Sequence, residues 1–112
     1  MKVALVIPFA LFAHTAFGAC PERLQRNPEY VEFAIDDGVP RPTSVENFKF
    51  IDDETTMTQL KAKVGTPNAA RGATRFLWCL PDGMVITVVS RDGTEVREVR
   101  ADSKLVYKRK KK

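Results

Sequence analysis

The chain has 112 residues, a formal net charge of +4, one histidine and two cysteines. This length leaves room for one small domain, whose core supplies only modest stability. Six of the 18 basic residues lie outside residues 19–107, which leaves twelve against the 14 acidic residues of that range. The positive charge therefore belongs to the C-terminal end of the chain, which argues against a nucleic-acid-binding face.

The N-terminus has the three-part layout of a secretory signal peptide. Lys2 precedes an apolar run over residues 3–13, and residues 14–18 form a small and polar exit. The apolar run is too short to span a bilayer core, which needs ~20 apolar residues, and Pro8 interrupts it. We predict a signal peptide over residues 1–18 and a periplasmic or secreted protein without a transmembrane span.

Cys20 follows the predicted leader directly and has two alternative fates. Small residues before position 19 suit ordinary cleavage there, and Cys20 would then pair with Cys79 in an oxidising compartment. Such a disulfide would close a long loop and contribute about 4 kcal/mol to stability. Residues 17–20 also resemble a lipobox, in which Cys20 is acylated and holds the protein at the outer membrane. The two alternatives exclude each other.

The first element of the mature chain is ambiguous. Asn27, Pro28 and Glu29 form a typical helix opening, with a side-chain cap, a ring-fixed first residue and a carboxylate near the positive helix end. The apolar residues of 30–35 alternate with others as they do in a strand, and the stretch is too short for periodicity to decide. We predict a short helix over residues 28–35, with a strand as the alternative.

The clearest local pattern predicts a helix that begins after Thr56 and ends at Gly65. Thr56 and Gln59 have the spacing of a capping box. Apolar residues four positions apart define a buried face, and a glycine followed by a proline ends the helix. Residues 68–72 then read as a flexible loop. The residues of the helix pattern are Thr56, Gln59, Leu60, Val64, Gly65 and Pro67.

From Thr74 onward the sequence changes to strands and turns. Two turns that contain Asp-Gly separate three strand patterns, and a short edge strand follows. Trp78 lies on the face of the first of these strands that we expect to meet the helices. The predicted strands cover residues 75–80, 84–90, 95–101 and 104–107.

Residues typical of catalysis are missing from the mature sequence. The single histidine, His14, belongs to the predicted leader, so no histidine is left to activate Cys79 or to bind a metal. The acidic pairs at 36–37 and 52–53 read as solvated turn residues, since the spaced ligands of a calcium loop are absent. We predict a protein that is not an enzyme and binds no cofactor or metal.

The C-terminal basic run is the charged feature with a plausible partner. Clustered cations are attracted to anionic lipid headgroups and to lipopolysaccharide phosphates, and salt weakens this attraction. The alternative is a disordered end that only increases solubility. The run consists of Lys108, Arg109, Lys110, Lys111 and Lys112.

The pattern Thr56-x-x-x-Leu60-x-x-x-Val64-Gly65-x-Pro67, followed by Trp78-x-Leu80, resembles the SmpA/OmlA family of small BamE-like envelope proteins. The resemblance covers residues 48–100. It implies an α+β fold with two helices packed on one face of a three- to four-stranded antiparallel sheet, as in β-lactamase-inhibitor-like domains. It also implies binding to envelope proteins or surfaces rather than substrate turnover.

These expectations give a signal peptide over 1–18, a BamE-like domain over 19–107 and a basic disordered tail over 108–112. The expected function is that of an exported accessory or assembly-type binding protein of the cell envelope, without catalytic activity. Its expected partner is an envelope protein or an anionic lipid or lipopolysaccharide surface. The alternative is a periplasmic inhibitor of a hydrolase such as lysozyme or a β-lactamase.

Overall fold

The computed structural model of the chain describes residues 20–110, so the predicted signal peptide and the last two lysines lie outside the described residues. This part of the chain is built on one antiparallel sheet whose strands are neighbours in chain order. The strands are β1 (Val31–Glu32), β2 (Ala69–Arg71), β3 (Arg75–Cys79), β4 (Val85–Ser90), β5 (Val96–Ala101) and β6 (Lys104–Lys108). The helices are α1 (Glu22–Gln25), a 3₁₀ helix (Val45–Phe48) and α2 (Met57–Val64).

The expectation of two helices on one face of a three- to four-stranded sheet is wrong. Over residues 20–110 the sheet has six strands, and its two short α-helices lie against opposite faces. Successive side chains of β3 point to opposite faces of the sheet. Leu77 packs in one cluster with Leu24 of α1, whereas Trp78 packs in the other with Leu60 of α2. The sheet is therefore covered on both sides.

A two-residue strand replaces the helix predicted over residues 28–35. Asn27 does accept a hydrogen bond, from the backbone N–H of Glu29 at 2.9 Å, but this bond closes a turn instead of starting a helix. In β1, Val31 lies opposite Ala70 of β2. Strand β2 occupies the stretch expected to be a loop, because pairing on both sides stabilises alanines that have little strand propensity of their own.

Helix α2 has the caps that the sequence predicts. The Thr56 side chain accepts from the N–H of Gln59 at 3.1 Å, and the Gln59 side chain accepts from the N–H of Thr56 at 3.0 Å. The helix ends at Gly65, whose φ is 84°. The N–H of Met57 also donates to the carbonyl of Thr94 at 2.8 Å. This bond attaches the start of the helix to the β4–β5 turn.

Strands β3 to β6 are the four strands predicted for the second half of the chain, and each differs from its predicted range by one residue at one end. Gly83 and Gly93, in the turns between them, have φ angles of 93° and 92°. Glycine adopts this backbone conformation without the steric cost of a Cβ atom. The Asp-Gly turns of the sequence therefore predicted the positions of these hairpins correctly.

The larger core lies between α2 and the sheet. Leu60, Val64 and Trp78 are buried in the same cluster, as the sequence pattern requires. The rings of Phe48 and Trp78 meet edge to face with centroids 5.7 Å apart. Within residues 20–110, no helix has the length and hydrophobicity needed to cross a bilayer.

Candidate functional site

The predicted disulfide between Cys20 and Cys79 is present. The two Cα atoms are 5.1 Å apart, and the bond links residues 59 positions apart in the chain. It attaches the N-terminal segment to β3 on the face opposite α2, beside the buried side chains of Leu24 and Leu77. Because the sulfur of Cys20 is bonded to Cys79, this form has no free thiol at Cys20 that could be acylated.

The helix motif is a structural feature of the core. The indole N–H of Trp78 donates to the carbonyl of Gly65 at 3.2 Å, so the end of α2 is bonded directly to β3. A Cβ atom on Gly65 would lie 3.2 Å from the Arg41 guanidinium and 3.3 Å from the Asp37 carboxylate. Glycine is favoured at this position by its φ, and side chains of the loop that follows β1 approach it closely.

Asp37 is more than the solvated turn residue expected from the sequence. Its carboxylate accepts hydrogen bonds from the backbone N–H and the hydroxyl of Thr66, at 2.7 and 2.6 Å, and from the N–H of Val39 at 2.9 Å. These bonds, first among them the one from the Thr66 side chain, lower the pKa of Asp37 to about 2. The carboxylate therefore stays charged at all but very acidic pH.

Arg41 and Asn68 continue this network into the sheet. The Arg41 guanidinium donates to the Thr66 carbonyl at 2.7 Å and to the Asn68 side-chain oxygen at 3.1 Å. The same oxygen of Asn68 accepts from the backbone N–H of Cys79 at 2.9 Å. Sequence reasoning missed these residues because their partners lie more than ten positions away, where no local pattern shows them.

The described residues contain no group of three or more His, Cys, Asp or Glu residues placed to hold a metal ion. The one histidine of the chain, His14, lies outside residues 20–110.

The C-terminal basic run begins inside the fold. Lys108 is the last residue of β6, and the backbone N–H of Arg109 continues the pairing by donating to the Arg97 carbonyl at 2.8 Å. The Arg109 guanidinium donates to the Asp53 carbonyl at 2.9 Å and lies 3.8 Å from the Glu95 carboxylate. The first residues of the run are thus held against the domain, while Lys111 and Lys112 lie outside the described residues.

Tyr107 strengthens the attachment of this C-terminal stretch. Its hydroxyl donates to the carboxylate of Asp53, which also accepts from the backbone N–H of Lys110 at 3.3 Å. Burial raises the pKa of Tyr107 to about 12, and the bond to Asp53 adds to this effect. The phenol therefore remains a hydrogen-bond donor throughout the physiological pH range.

Basic residues from several strands gather at one end of the sheet. In an antiparallel sheet, the start of β3, the end of β4, the start of β5 and the end of β6 lie at the same end. We call this surface the basic end. It consists of Arg75, Arg91, Arg97, Lys108 and Lys110.

Arg91, Arg97 and Lys108 line one concavity of the basic end, whereas Lys110 lines another, beside the stretch from Ile51 to Glu54. Arg75, Val89, Glu98 and Lys108 are paired across neighbouring strands in one row, on the sheet face opposite α2. A shallow concavity of about 340 Å³ lies beside this row. It is lined by Val89, Ser90, Arg91, Arg97, Glu98, Lys108 and Arg109.

Three acidic residues lie near the basic end, and Oε1 of one of them, Glu95, is buried without a hydrogen-bond partner within residues 20–110. Glu98 pairs with Arg100, and Glu95 lies beside Arg109. Hydrogen bonds from the side chain and backbone of Thr94 lower the pKa of Asp92. By contrast, no salt bridge to another residue of 20–110 involves the cations Arg75, Arg91, Arg97 and Lys108. These cations are available to an external anion.

Comparison with known proteins adds no assignment. No protein-family model matches the chain, no curated protein is similar to it, and no solved structure matches it.

The sequence alone indicated the part of the basic end that belongs to the terminal run, since Lys108 and Lys110 form a cluster there. The contribution of Arg75, Arg91 and Arg97 depends on strand order, and the spacing of these residues gives no local signal.

Proposed function

We propose that this chain is an exported, non-catalytic binding protein of the cell envelope that attaches to anionic surfaces through its basic end. The observation that carries the proposal is the set of cations at one end of the sheet that lack acidic partners among the described residues. The terminal residues Lys111 and Lys112 extend the same positive surface by chain continuity.

Export is supported by two independent features. The N-terminal sequence has the layout of a signal peptide. The disulfide between Cys20 and Cys79 is of the kind that persists in oxidising compartments such as the periplasm and is rare in the cytosol. The resemblance of the helix motif to the SmpA/OmlA family agrees with an accessory or assembly-type role at the envelope, which we include in the proposal.

The expected attachment is weak and reversible. Each Lys or Arg near an anionic bilayer contributes about 1 kcal/mol. If about four cations of the basic end are engaged, they supply about 4 kcal/mol, which corresponds to a dissociation constant of about 1 mM. Such an interaction concentrates the protein at a surface without fixing it there, and salt screens it.

Vesicle binding tests the proposal. The chain is expressed with its own leader and purified from the envelope fraction, where its intact mass should correspond to a start at Ala19 with one disulfide. Vesicles that contain phosphatidylglycerol should bind it at low salt, those of phosphatidylcholine alone should not, and binding should weaken at about 0.15 M salt. Replacing Arg91 and Arg97 together by Gln should weaken binding about 30-fold.

The matched control removes the same charge elsewhere. Arg23→Gln with Lys104→Gln changes two exposed cations far from the basic end. Equal weakening in both double variants would show that net charge alone matters, and absence of binding at low salt would refute the proposal. Inhibition of lysozyme at near-stoichiometric protein, without vesicle binding, would support the inhibitor alternative instead.

A further inference from the structure

A bulge in β5 sets the direction of Arg97. Successive side chains of a strand point to opposite faces, so residues buried on one face normally lie two positions apart. Val96 and Val99 lie three positions apart, yet both are buried in the core cluster that contains the residues of α2. The pairing of β5 with β4 shifts by one residue in this stretch. Arg97 and Glu98 therefore both lie on the sheet face opposite α2.

Lys108 and Arg91 lie beside Arg97 at this end of the sheet. Lys108 is paired with Glu98 across β5 and β6, so its side chain is on the same face. Arg91 directly follows the last residue of β4. These three cations line one concavity of about 340 Å³, which we call the basic concavity. Strand order thus brings cations from three separate stretches of the chain to one small space.

Hydrogen bonds hold the backbone that carries these cations. The carbonyl of Arg97 accepts from the N–H of Arg109 at 2.8 Å, which fixes β5 against the end of β6. In the turn after β4, the side chain of Ser90 accepts from the N–H of Gly93 at 2.8 Å. A site whose backbone is already ordered pays less conformational entropy when it binds a ligand.

Two carboxylates near the basic concavity are matched by cations of their own. Glu98 lines the concavity, and its carboxylate forms an ion pair with the guanidinium of Arg100. The carboxylate of Glu95 lies 3.8 Å from the guanidinium of Arg109. Each of these contacts sets a positive charge against a negative one, which a hydrogen bond from a neutral donor does not do. The two pairs therefore leave the net charge of the surface unchanged.

The other charges give the basic concavity an excess of positive charge. Arg91, Arg97 and Lys108 form no salt bridge with another residue of 20–110. Asp92, the third carboxylate, lies in the turn and accepts from the N–H and the hydroxyl of Thr94 at 3.0 and 2.6 Å. These neutral donors leave its negative charge in place. Three cations against this one carboxylate leave an excess of two positive charges.

This excess matches the charge of a phosphate monoester. At neutral pH such a group carries a charge of about −1.5 to −2 and has three strong acceptor oxygens. A guanidinium donates two parallel hydrogen bonds to two phosphate oxygens, whereas an ammonium acts as a point charge. A carboxylate or a phosphodiester carries one negative charge and would leave half of the excess unmatched. Two arginines and one lysine therefore favour the monoester.

We propose that the basic concavity is a binding site for a phosphate monoester, carried by a membrane lipid or by a soluble compound. The guanidinium groups of Arg91 and Arg97 bind the phosphate oxygens, and the ammonium of Lys108 adds positive charge. This inference rests on the proposed function for the anionic nature of the partner. It goes further because it assigns one discrete site and one ligand class, neither of which general attraction to a surface requires.

Soluble sugar esters test the site without a membrane. Glucose 6-phosphate is titrated into the isotope-labelled mature chain at constant ionic strength, and glucose 6-sulfate, which carries one charge fewer, is the control. The phosphate ester should shift the amide resonances of residues 89–91, 97 and 108–109. The sulfate ester should bind about tenfold more weakly, since one unit of ligand charge is lost. Equal binding of the two esters, no binding, or shifts confined to other residues would overturn the proposal.

Single substitutions test the two guanidinium groups. Arg91→Gln and Arg97→Gln should each weaken the binding of glucose 6-phosphate about tenfold, because each removes a charged donor. Arg91→Lys keeps the charge without the paired donors and should bind with intermediate affinity. The double variant Arg23→Gln with Lys104→Gln removes two exposed cations elsewhere and should bind as the wild type does. Equal losses in this control, or no loss in either Gln variant, would contradict the site.

Vesicles identify the source of the ester and separate the site from general attachment. Vesicles with phosphatidic acid, whose headgroup is a phosphate monoester, are compared at equal surface charge with vesicles of phosphatidylglycerol, a phosphodiester. The site predicts about tenfold tighter binding to phosphatidic acid and displacement by glucose 6-phosphate. Equal binding without displacement would overturn the site and leave the proposed function standing. Binding of glucose 6-phosphate without binding to either vesicle would refute surface attachment and assign the site to a soluble ester.

Discussion

Asp37 shows how one side chain joins the loop after β1 to the end of α2. Its carboxylate holds Thr66 directly after α2, and Arg41 bonds to the same stretch and to Asn68. Burial lowers the pKa of Arg41, and the charge of Asp37 opposes this effect. The loop after β1 is therefore joined to the end of α2 by charge-assisted bonds, which are stronger than neutral ones.

We expect Asp37→Asn to lower the free energy of unfolding at neutral pH by about 1 kcal/mol, because an amide carries no charge and offers one acceptor oxygen. The pKa of Asp37 is about 2 in the folded state against 3.8 for the unperturbed group. A depressed folded-state pKa gives stability that is complete above pH 3.8 and is lost as the pH falls towards 2. Denaturant titrations over this pH range measure the effect.

The neighbouring Asp36→Asn is the control for charge, since no hydrogen bond of its side chain is seen within residues 20–110. Asp36→Asn should leave the free energy of unfolding nearly unchanged at neutral pH and at pH 2. A difference between wild type and Asp37→Asn that stays constant from neutral pH down to pH 2 would contradict the assigned pKa.

At the scale of elements, the local sequence predicted secondary structure correctly where the hydrogen bonds that define an element are made between residues close in the chain. The capping box of Thr56 and Gln59 is complete within four residues, and the Asp-Gly turns between strands close within a few residues. The predictions for α2 and β3 to β6 therefore held. Strands β1 and β2 pair with residues far along the chain, so their existence depends on contacts that no short window contains.

Thr56→Ala should destabilise the protein by about 1 kcal/mol, because the N–H of Gln59 loses its side-chain acceptor. In a domain of this size the midpoint of thermal unfolding should fall by about 4–8 °C. Thr58→Ala makes the same chemical change at an exposed position inside α2. It should be neutral or slightly stabilising, since alanine has the higher helix propensity. Similar losses in both variants would argue against the cap.

At the scale of the whole molecule, the two faces of the sheet are stabilised differently. The face with α2 has a large core of aromatic and aliphatic side chains. The opposite face has a smaller cluster around Leu24, Leu77 and Val85, and the disulfide joins its elements. A small cluster buries too little surface to hold a short helix such as α1, so a covalent link is needed there.

Replacing Cys20 and Cys79 together by Ala should lower the free energy of unfolding by about 4 kcal/mol on the chain-entropy estimate. The loss should be largest for the N-terminal segment. Hydrogen exchange should show faster exchange over α1, while the amides of β3 and β4 remain the best protected. Reduction of the wild-type disulfide is the control and should give the same pattern. Uniform loss of protection across the sheet would count against two separately stabilised faces.

The sequence by itself determined the capped helix and the second-half hairpins, because each depends on neighbouring residues. It predicted an export signal and left Cys20 two alternatives, acylation or pairing with Cys79. The structure has the disulfide. Tertiary structure alone decided that α1 and α2 lie on opposite faces and that β1 and β2 enlarge the sheet. It also decided that Arg75, Arg91 and Arg97 join the C-terminal lysines. The physical reason is that strand pairing and strand order bring together residues far apart in the chain. A linear pattern does not show which of these residues become neighbours.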